Sequence, residues 1–179
     1  INPQPLITMR YDLIIIGSGP GGYVAAIRAS QLGMKVAIVE KELLGGVCLN
    51  WGCIPTKALL KSAQVFDYIQ NASAYGIQVQ SAKPDFEAMI RRSRGVASSM
   101  STGVQFLLKK NKIVTIEGAG KLGKNSTVIV EDTQGATTTY QANHIIIATG
   151  GRSRILPQLP IDHKKVIGYR EAMVLKEQP

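Results

Sequence analysis

The sequence is poor in the residues that bind metal ions or build disulfide frameworks. Its 179 residues include two cysteines and two histidines, too few for a disulfide-rich scaffold. A zinc site needs about four ligands, and neither His144 nor His163 stands at a ligand spacing from the cysteines. We therefore exclude a small disulfide-stapled domain and a structural zinc module, and we expect no metal.

Aromatic residues and long apolar runs are also scarce. No apolar run approaches the roughly 18 residues of a spanning helix, and no secretory segment opens the chain. We therefore expect a cytoplasmic protein with no membrane partner. The 45% of hydrophobic residues is enough for a packed core, and the length suits one ordinary domain.

Acidic residues are outnumbered, with 12 against 21 basic ones and a formal net charge of +9. Basic residues cluster at 91–94, 109–112 and 152–154. A nucleic-acid-binding module is the remote alternative that this charge suggests. The clusters lack interleaved aromatics and match no groove-reading motif, so we interpret them as solvated surface and expect no nucleic acid partner.

Two apolar runs near the N-terminus, 11–16 and 35–40, are typical of strands buried in a parallel sheet. A helical segment over 23–32, followed by Gly33, joins them. Further along, the pattern predicts helices over 52–70 and 85–110, a short strand over 77–79, an antiparallel meander over 112–141 and an apolar strand over 144–148. These elements predict a doubly wound, Rossmann-like α/β fold whose parallel sheet carries an antiparallel β-meander insertion.

The two long helices each have apolar residues at helical spacing, which predict a core face. Asp85 is placed to cap the second of them. The predicted core residues are Leu59, Leu60, Ala63, Val65, Phe66 and Ile69 on the first helix, and Phe86, Met89, Ile90, Val96 and Phe106 on the second.

A glycine fingerprint directly follows the first predicted strand. Gly17, Gly19 and Gly22 form GxGxxG between a strand and a helix, and Glu40 ends the next strand. In this pattern the first glycine allows a tight turn, the second lets the backbone approach a pyrophosphate, and the third lets helix and strand pack closely. The helix N-terminus favours phosphate charge, and an acid at this spacing suits a ribose hydroxyl. The pattern predicts binding of a dinucleotide, FAD or NAD rather than NADP.

Both cysteines lie in one short segment, GGVCLNWGCIPTK, as Cys48 and Cys53. A structural disulfide is out of place in so short a loop of an intracellular protein. The residues alone leave two possibilities, a pair of inert thiols or a redox-active pair. If the two pair, the segment is not regular helix, because positions i and i+5 of a helix lie about 8–9 Å apart and a disulfide needs roughly 4.4–6.8 Å. Gly52 and Pro55 suit such a distortion.

The glycine fingerprint and the cysteine segment together resemble the N-terminal FAD domain of the flavin-dependent disulfide reductases. The resemblance extends from about Met9 to the last residue, and it is greatest to the members that oxidise protein-bound dihydrolipoamide. Glutathione and mercuric reductases share the cysteine spacing and are the alternative. Their usual motif has Val at the positions of Leu49 and Ile54. Val47, Trp51 and Leu122 are mild departures that remove no chemical role.

The resemblance implies a role for each matched residue. Cys48 corresponds to the thiol that attacks the lipoamide disulfide, and Cys53 to the thiol beside the flavin, which forms a charge-transfer complex. Lys57, one helical turn beyond Cys53, corresponds to the lysine near the reacting edge of the flavin. The implied FAD-binding residues are Gly17, Gly19, Gly22, Glu40, Lys41, Gly46, Val47, Lys57, Gly118, Ala119, Gly120, Thr149 and Gly150.

The resemblance also implies a relay and its partners. Dihydrolipoamide would reduce a Cys48–Cys53 disulfide, electrons would pass to FAD, and FAD would reduce NAD. The implied partners are the lipoyl domains of 2-oxo-acid dehydrogenase complexes and, for the complete enzyme, a second copy of itself.

Several parts that the family uses have no match in this sequence. A second GxGxxG for NAD, a later Gly-Asp motif of the FAD site, a His-Pro…Glu segment and a dimerisation domain are not found. We therefore expect a part of a longer enzyme that is inactive alone. We divide it into a tail or cloning remnant over 1–8, an FAD-binding domain over 9–151 and a linker towards an NAD-binding domain over 152–179.

Overall fold

The computed structural model describes residues 7–179, with side chains from Met9 onward. The strands are β1 (Ile7–Ile16), β2 (Val36–Glu40), β3 (Val114–Glu117), β4 (Ala119–Leu122), β5 (Thr127–Glu131) and β6 (Thr137–Ile147). The helices are α1 (Pro20–Gln31), α2 (Gly46–Trp51), α3 (Cys53–Gln70), α4 (Phe86–Lys110) and α5 (Tyr169–Ala172), with a 3-10 helix over Ala72–Tyr75.

The chain divides into two compact units. The first contains the described residues up to Cys48 together with Met100–Gly151, and the second contains Leu49–Ser99 and Arg152–Pro179. Of the tail predicted over 1–8, residues 1–6 lie outside the described part. Strand β1 begins at Ile7, which pairs with Thr139 of β6.

The first unit is built on a six-stranded sheet in the order β3-β2-β1-β6-β5-β4. Strands β3, β2, β1 and β6 run parallel to one another, whereas β5 pairs antiparallel with both β6 and β4. The predicted combination of a parallel sheet and an antiparallel insertion is confirmed.

Strands β1 and β2 form the centre of this unit. Ile14, Ile15, Ala37 and Ile38 have no exposed surface, and Tyr11 is 2% exposed. Successive buried residues point to opposite faces of the sheet, so both faces are covered. The sequence prediction of two fully buried parallel strands is confirmed.

Two details of the predicted meander are wrong. The strand at 114–117 pairs parallel with β2 and belongs to the main sheet, so the antiparallel part consists of β4, β5 and β6. The segment 137–140 and residues 144–147 of the predicted strand over 144–148 are parts of one strand, β6. That strand is antiparallel to β5 over Thr137–Gln141 and parallel to β1 over Thr139–Ile147.

In the second unit, helix α3 is less buried than its pattern predicts. Its buried residues are Pro55 and Ala58, whereas Leu60 is 62% and Val65 45% exposed and Ala63 is exposed too. Apolar residues of α3 instead line an open groove of about 350 Å³. The groove is lined by Lys61, Ser62, Val65, Phe66, Ile69, Ala82, Lys83, Pro84, Asp85, Met89 and Arg92.

The predicted strand over 77–79 does not form, and this segment has no regular structure after the 3-10 helix. Helix α4 begins as predicted, with Oδ1 of Asp85 accepting a hydrogen bond of 2.9 Å from the Ala88 N–H. Phe106 is exposed and not a core residue. The buried stripe of α4 consists of Ile90, Ser93, Ala97, Val104 and Leu108. Among the described residues, no helix is long and apolar enough to cross a membrane.

Candidate functional site

The carboxyl ends of the parallel strands bring the glycine fingerprint beside the returning strand. The Gly17 N–H donates to the Val39 oxygen over 2.8 Å, and the Ala148 N–H donates to the Ile16 oxygen over 2.8 Å. In open α/β sheets, ligands bind at this edge. Residues separated by up to 132 positions in the sequence, such as Ile16 and Ala148, therefore meet at one edge of the first unit.

Gly17 and Gly22 are required by close backbone approach. A Cβ on Gly17 would lie 2.3 Å from the Ala148 oxygen, and Gly17 has a φ of 101°, which disfavours other residues. A Cβ on Gly22 would lie 1.9 Å from the Gly17 oxygen. Both contacts are with backbone atoms that cannot move aside cheaply. These glycines fix the turn between β1 and α1, as the fingerprint predicts.

Gly19 differs from these two because nothing in the protein crowds it. A Cβ there would meet no atom within 4 Å, and Gly19 is the N-cap of α1. No side chain caps this helix, Pro20 follows the cap, and the first turn has no acidic residue. The positive end of the helix dipole is therefore available for an anionic group.

Glu40 is held in place by four short hydrogen bonds. Its Oε2 accepts from the Ser18 N–H over 3.0 Å and from the Ser18 hydroxyl over 2.5 Å. Its Oε1 accepts from the Lys41 and Glu42 N–H groups, each over 2.9 Å. The carboxylate is thus fixed at the end of β2, next to the glycine turn, where the sequence predicts a ribose-binding acid.

The loop around Gly46 lies against the glycine turn as well. A Cβ on Gly46 would come within 2.8 Å of the Gly19 Cα, and the Gly45 N–H donates to both the oxygen and the Oγ of Ser18, over 3.1 and 3.2 Å. Val47, the next residue, is 37% exposed.

Gly118 joins β3 to β4 at the same edge of the sheet, and Ala119 and Gly120 are the first two residues of β4. The Gly118 N–H donates to the Glu40 oxygen over 2.9 Å. A Cβ on Gly120 would lie 3.0 Å from Cγ2 of Ile16, so this glycine also lets β4 approach the centre of the sheet. On the other side of Gly17, the Cα of Thr149 lies 3.1 Å from the position of a Gly17 Cβ, and Thr149 and Gly150 are exposed. The first unit thus brings these predicted residues to one edge.

The two cysteines form a disulfide across a break between two helices. Neither is free: both are disulfide-bonded, and they are the only cysteines of the chain. Helix α2 ends at Trp51, Gly52 has a φ of −137° and a ψ of −107°, and helix α3 begins at Cys53. The segment is therefore not continuous helix, as the geometric argument requires for a paired Cys48 and Cys53. The alternative of two separate inert thiols is not what the structure shows.

Cys53 is the first residue of the 18-residue helix α3. The helix has no side-chain cap and no acidic residue in its first turn, so its N-terminus favours negative charge at Cys53 once the disulfide is reduced. Lys57 follows one turn later and is exposed, and Cys53 is exposed whereas Cys48 is partly buried. The positive electrostatic field of the helix N-terminus and Lys57 therefore favours a thiolate at Cys53 over one at Cys48.

Sequence reasoning missed two contributors. Ser18 occupies a variable position of the fingerprint, yet it is fully buried and bonds to Glu40. Its only signal in the sequence is a hydroxyl side chain just after a strand that is predicted to be buried. The cluster at 91–94, interpreted as solvated surface, is only partly so. Arg91 and Arg92 are exposed and Arg94 is partly buried, and the Arg92 and Arg94 side chains donate to the backbone oxygens of Ala58 and Asn50.

Among the described residues, no group of three or more His, Cys, Asp or Glu side chains is arranged to hold a metal ion. His163 lies in the second unit, where its Nδ1 is 2.7 Å from Oε1 of Glu171. His144 is exposed within β6, opposite Leu13 of β1. Neither histidine lies in the fingerprint or the cysteine segment.

Comparison with known proteins agrees with this arrangement. The dihydrolipoyl dehydrogenase of Zymomonas mobilis is 53% identical over 166 residues, which are 92% of this chain and 35% of that protein. The dihydrolipoyl dehydrogenase of Rhizobium etli is 53% identical over 178 residues, 91% of this chain and 37% of that protein. The crystal structure of LpdA from Mycobacterium tuberculosis superposes with a TM-score of 0.83 at 22% identity, over 95% of this chain and 38% of that one. The chain therefore spans little more than a third of the length of these relatives.

A family model described as pyridine nucleotide-disulphide oxidoreductase matches residues 11–178, which include the fingerprint, the cysteine pair and every strand of the sheet except the first residues of β1. This match covers far more than half of the sequence. The chain belongs to the pyridine nucleotide-disulphide oxidoreductase family.

Proposed function

We propose that the chain forms the FAD-binding and redox-disulfide part of a dihydrolipoyl dehydrogenase. The observation that carries the proposal is the disulfide between Cys48 and Cys53, formed across the helix break at Gly52. The names of the relatives support the choice of substrate, and the glycine turn supports the choice of cofactor.

The first unit fits an adenine dinucleotide at the edge of its sheet. A pyrophosphate would lie at the uncapped N-terminus of α1, where the open space at Gly19 lets it approach the backbone. The Glu40 carboxylate would hold the ribose, because its position beside Ser18 is fixed and an acid suits a hydroxyl rather than a phosphate. The residues proposed to contact FAD are Gly17, Gly19, Gly22, Glu40, Lys41, Gly46, Val47, Lys57, Gly118, Ala119, Gly120, Thr149 and Gly150.

The proposed reaction of the disulfide is an exchange with a dithiol. One thiolate of dihydrolipoamide attacks Sγ of Cys48, the Cys48–Cys53 bond breaks, and a mixed disulfide forms. Cys53 leaves as a thiolate, which the N-terminus of α3 stabilises. The second thiol of the substrate, as its thiolate, then attacks the substrate sulfur of the mixed disulfide, and the bond to Cys48 breaks. The substrate loses two electrons and two protons; the cysteine pair gains the electrons, one proton goes to the departing Cys48 sulfur and the other to solvent. FAD, when bound, would supply the hydride chemistry that passes the electron pair to NAD.

The remaining parts of the proposal concern the complete protein. We propose NAD as its electron acceptor, lipoyl domains of 2-oxo-acid dehydrogenase complexes as its partners, a homodimer as its assembly and the cytoplasm as its location. Residues 9–151 would form the FAD-binding domain, and residues 152–179 would lead towards an NAD-binding domain.

The test uses the complete purified protein that contains this chain. We expect bound flavin by its visible absorbance and NAD-dependent oxidation of dihydrolipoamide. Cys48→Ser and Cys53→Ser should each lose turnover, whereas Ser98→Ala, an exposed change on α4, should retain it. Turnover of glutathione disulfide in place of dihydrolipoamide would assign the protein to the glutathione type. Full activity in either cysteine variant would overturn the redox role.

A further inference from the structure

One arginine outside the cysteine segment contacts both residues in the middle of it. Arg94, on helix α4, donates from Nη2 to the backbone oxygen of Asn50 over 2.6 Å. Its guanidinium carbon lies 4.4 Å from the centre of the Trp51 ring. Asn50 and Trp51 stand between Cys48 and Cys53, and all of these contacts lie within the second unit.

The Asn50 oxygen belongs to the last turn of helix α2, which has six residues and ends at Trp51. Asn50 is 3% exposed, and water therefore has little access to it. A charge-assisted hydrogen bond from Arg94 satisfies this carbonyl and fixes the end of the helix.

Trp51 gives the guanidinium a second, flat surface. Arg94 and Arg170 both lie over the indole ring, at 4.4 and 5.1 Å from its centre. Within the described residues, Nη1 of Arg94 and Nε1 of Trp51 are buried and have no hydrogen-bond partner. Burial also lowers the pKa of Arg94. Burial of a guanidinium costs solvation free energy, and an arginine on a solvated helix face does not have this cost. Arg94 therefore differs from an ordinary surface arginine.

The segment that Arg94 holds decides the distance between the two cysteines. In an ideal helix these positions would be about 8–9 Å apart, beyond the roughly 4.4–6.8 Å that a disulfide spans. The backbone closes this difference by leaving helical geometry at Gly52, directly after Trp51. A contact that fixes Asn50 and Trp51 fixes the residues next to this break.

We propose that Arg94 is a positioning residue for the redox pair: by binding the Asn50 carbonyl and stacking on Trp51, it keeps Cys48 and Cys53 close enough to re-form their disulfide after reduction. The proposal rests on the proposed function in that it assumes a disulfide that opens and closes. In the reduced chain, loss of Arg94 would let the segment relax and the thiols separate, so the disulfide would become less stable.

How close the two thiols are held can be measured as the effective concentration of one thiol near the other. The chain is equilibrated with a mixture of oxidised and reduced glutathione. In this reaction the protein dithiol and one glutathione disulfide give the protein disulfide and two glutathione molecules. Arg94→Met should lower the equilibrium constant at least about tenfold, equivalent to about 30 mV for a two-electron couple, and should accumulate the mixed disulfide with glutathione. Arg91→Met, an exposed arginine three residues earlier on the same helix, should leave it unchanged.

The sign of the shift separates positioning from charge. If Arg94 acted only as a positive charge that stabilises thiolates, Arg94→Met would favour the disulfide, and Arg94→Lys would behave like the unsubstituted chain. Positioning predicts the opposite sign for Arg94→Met and a partial loss in Arg94→Lys, because a lysine has no planar fork to place over the ring. No shift, or a shift towards the disulfide, would overturn the proposal.

Trp51→Leu provides a second variant in case Arg94→Met does not fold, as judged by circular dichroism. It removes the ring and retains the Asn50 carbonyl, so a smaller loss of the same sign is expected, and an unchanged constant would count against the proposal. The experiment needs neither flavin nor dihydrolipoamide. An unsubstituted chain that cannot re-form its disulfide would contradict the proposed function, whereas one that re-forms it equally well without Arg94 would contradict only the positioning role.

Discussion

Ser18 donates two hydrogen bonds to the same oxygen of Glu40, one from its N–H over 3.0 Å and one from its hydroxyl over 2.5 Å. The fingerprint and the acid at the end of β2 are therefore one hydrogen-bonded unit. Because Oε1 of Glu40 also accepts two N–H groups, both oxygens of the carboxylate are oriented by groups of the protein itself. Preorganisation of this kind reduces the cost of ordering side chains on binding.

We expect Ser18→Ala to lower the free energy of unfolding by roughly 1–3 kcal/mol, the range for a buried hydrogen bond to a charged group. The change removes the hydroxyl donor to Glu40 and one acceptor of the Gly45 N–H. Urea unfolding of the chain measures the effect. Ser98→Ala, exposed on α4, should change stability by less than about 0.5 kcal/mol. Equal stability of the two variants would show that the Ser18 hydroxyl is dispensable.

Gly22 and Gly21 are adjacent glycines for which we expect opposite outcomes. Gly22→Ala would place a Cβ 1.9 Å from the Gly17 oxygen, whereas a Cβ on Gly21 would meet nothing within 4 Å. We expect Gly22→Ala to destabilise the first unit by more than about 3 kcal/mol, and Gly21→Ala to leave it unchanged or stabilise it by up to about 1 kcal/mol. Thermal unfolding followed by circular dichroism compares them. A well-folded Gly22→Ala variant would refute the assignment of close packing.

The sequence predicted this turn because its signals are local. Gly17 and Gly22 lie within six residues, between a short apolar strand and a helix, and the backbone that crowds Gly22 is that of Gly17. The contact of Gly17 with Ala148 is the one long-range part of this turn. Cys48, Gly52 and Cys53 are likewise close in sequence, so the helix break follows from their spacing on the condition that the two cysteines pair.

Features that depend on distant partners could not be predicted in the same way. The strand at 114–117 has the composition of a meander strand, and only its pairing with β2 shows that it belongs to the parallel sheet. The apolar side chains of Leu60 and Phe106 fit a helical core pattern, yet nothing in the pattern tells whether another element covers them. Arg94 stands in a run of arginines, and its burial follows from the Trp51 side chain 43 residues earlier.

Gly19 should separate cofactor binding from folding. Its φ of −62° is accessible to alanine, and a Cβ there would contact no protein atom within 4 Å. If the pyrophosphate of FAD lies against this backbone, the Cβ of Gly19→Ala would fill the space that the pyrophosphate needs. FAD binding should then weaken at least about tenfold, which corresponds to about 1.4 kcal/mol of binding free energy. Flavin fluorescence titration of the complete protein measures the affinity.

The matched control for this prediction is Gly95→Ala on α4, where a Cβ also meets nothing within 4 Å. It should retain FAD affinity, and both variants should unfold within about 1 kcal/mol of the unsubstituted protein. An unchanged affinity in Gly19→Ala would place the pyrophosphate elsewhere.

In the reduced chain we expect Cys53 to form its thiolate at lower pH than Cys48. Cys53 is the first residue of an 18-residue helix, whereas Cys48 lies inside the six-residue helix α2. Positive helix ends favour a thiolate, and Lys57 adds charge one turn away. Iodoacetamide alkylation rates in Cys48→Ser and Cys53→Ser, measured against pH, give the midpoint for each remaining thiol. The partial burial of Cys48 also disfavours its thiolate, so it acts in the same direction as the helix end and Lys57.

Lysine variants in the Cys48→Ser chain then test the source of this field. Lys57→Met should move the Cys53 midpoint to higher pH, by a modest amount because the side chain is exposed and screened by salt. Lys61→Met, one helical turn further from Cys53, should leave it in place. A lower midpoint for Cys48 than for Cys53 would reverse the assignment of the leaving thiolate, because the sulfur that departs during exchange with a dithiol is the one whose negative charge the protein stabilises.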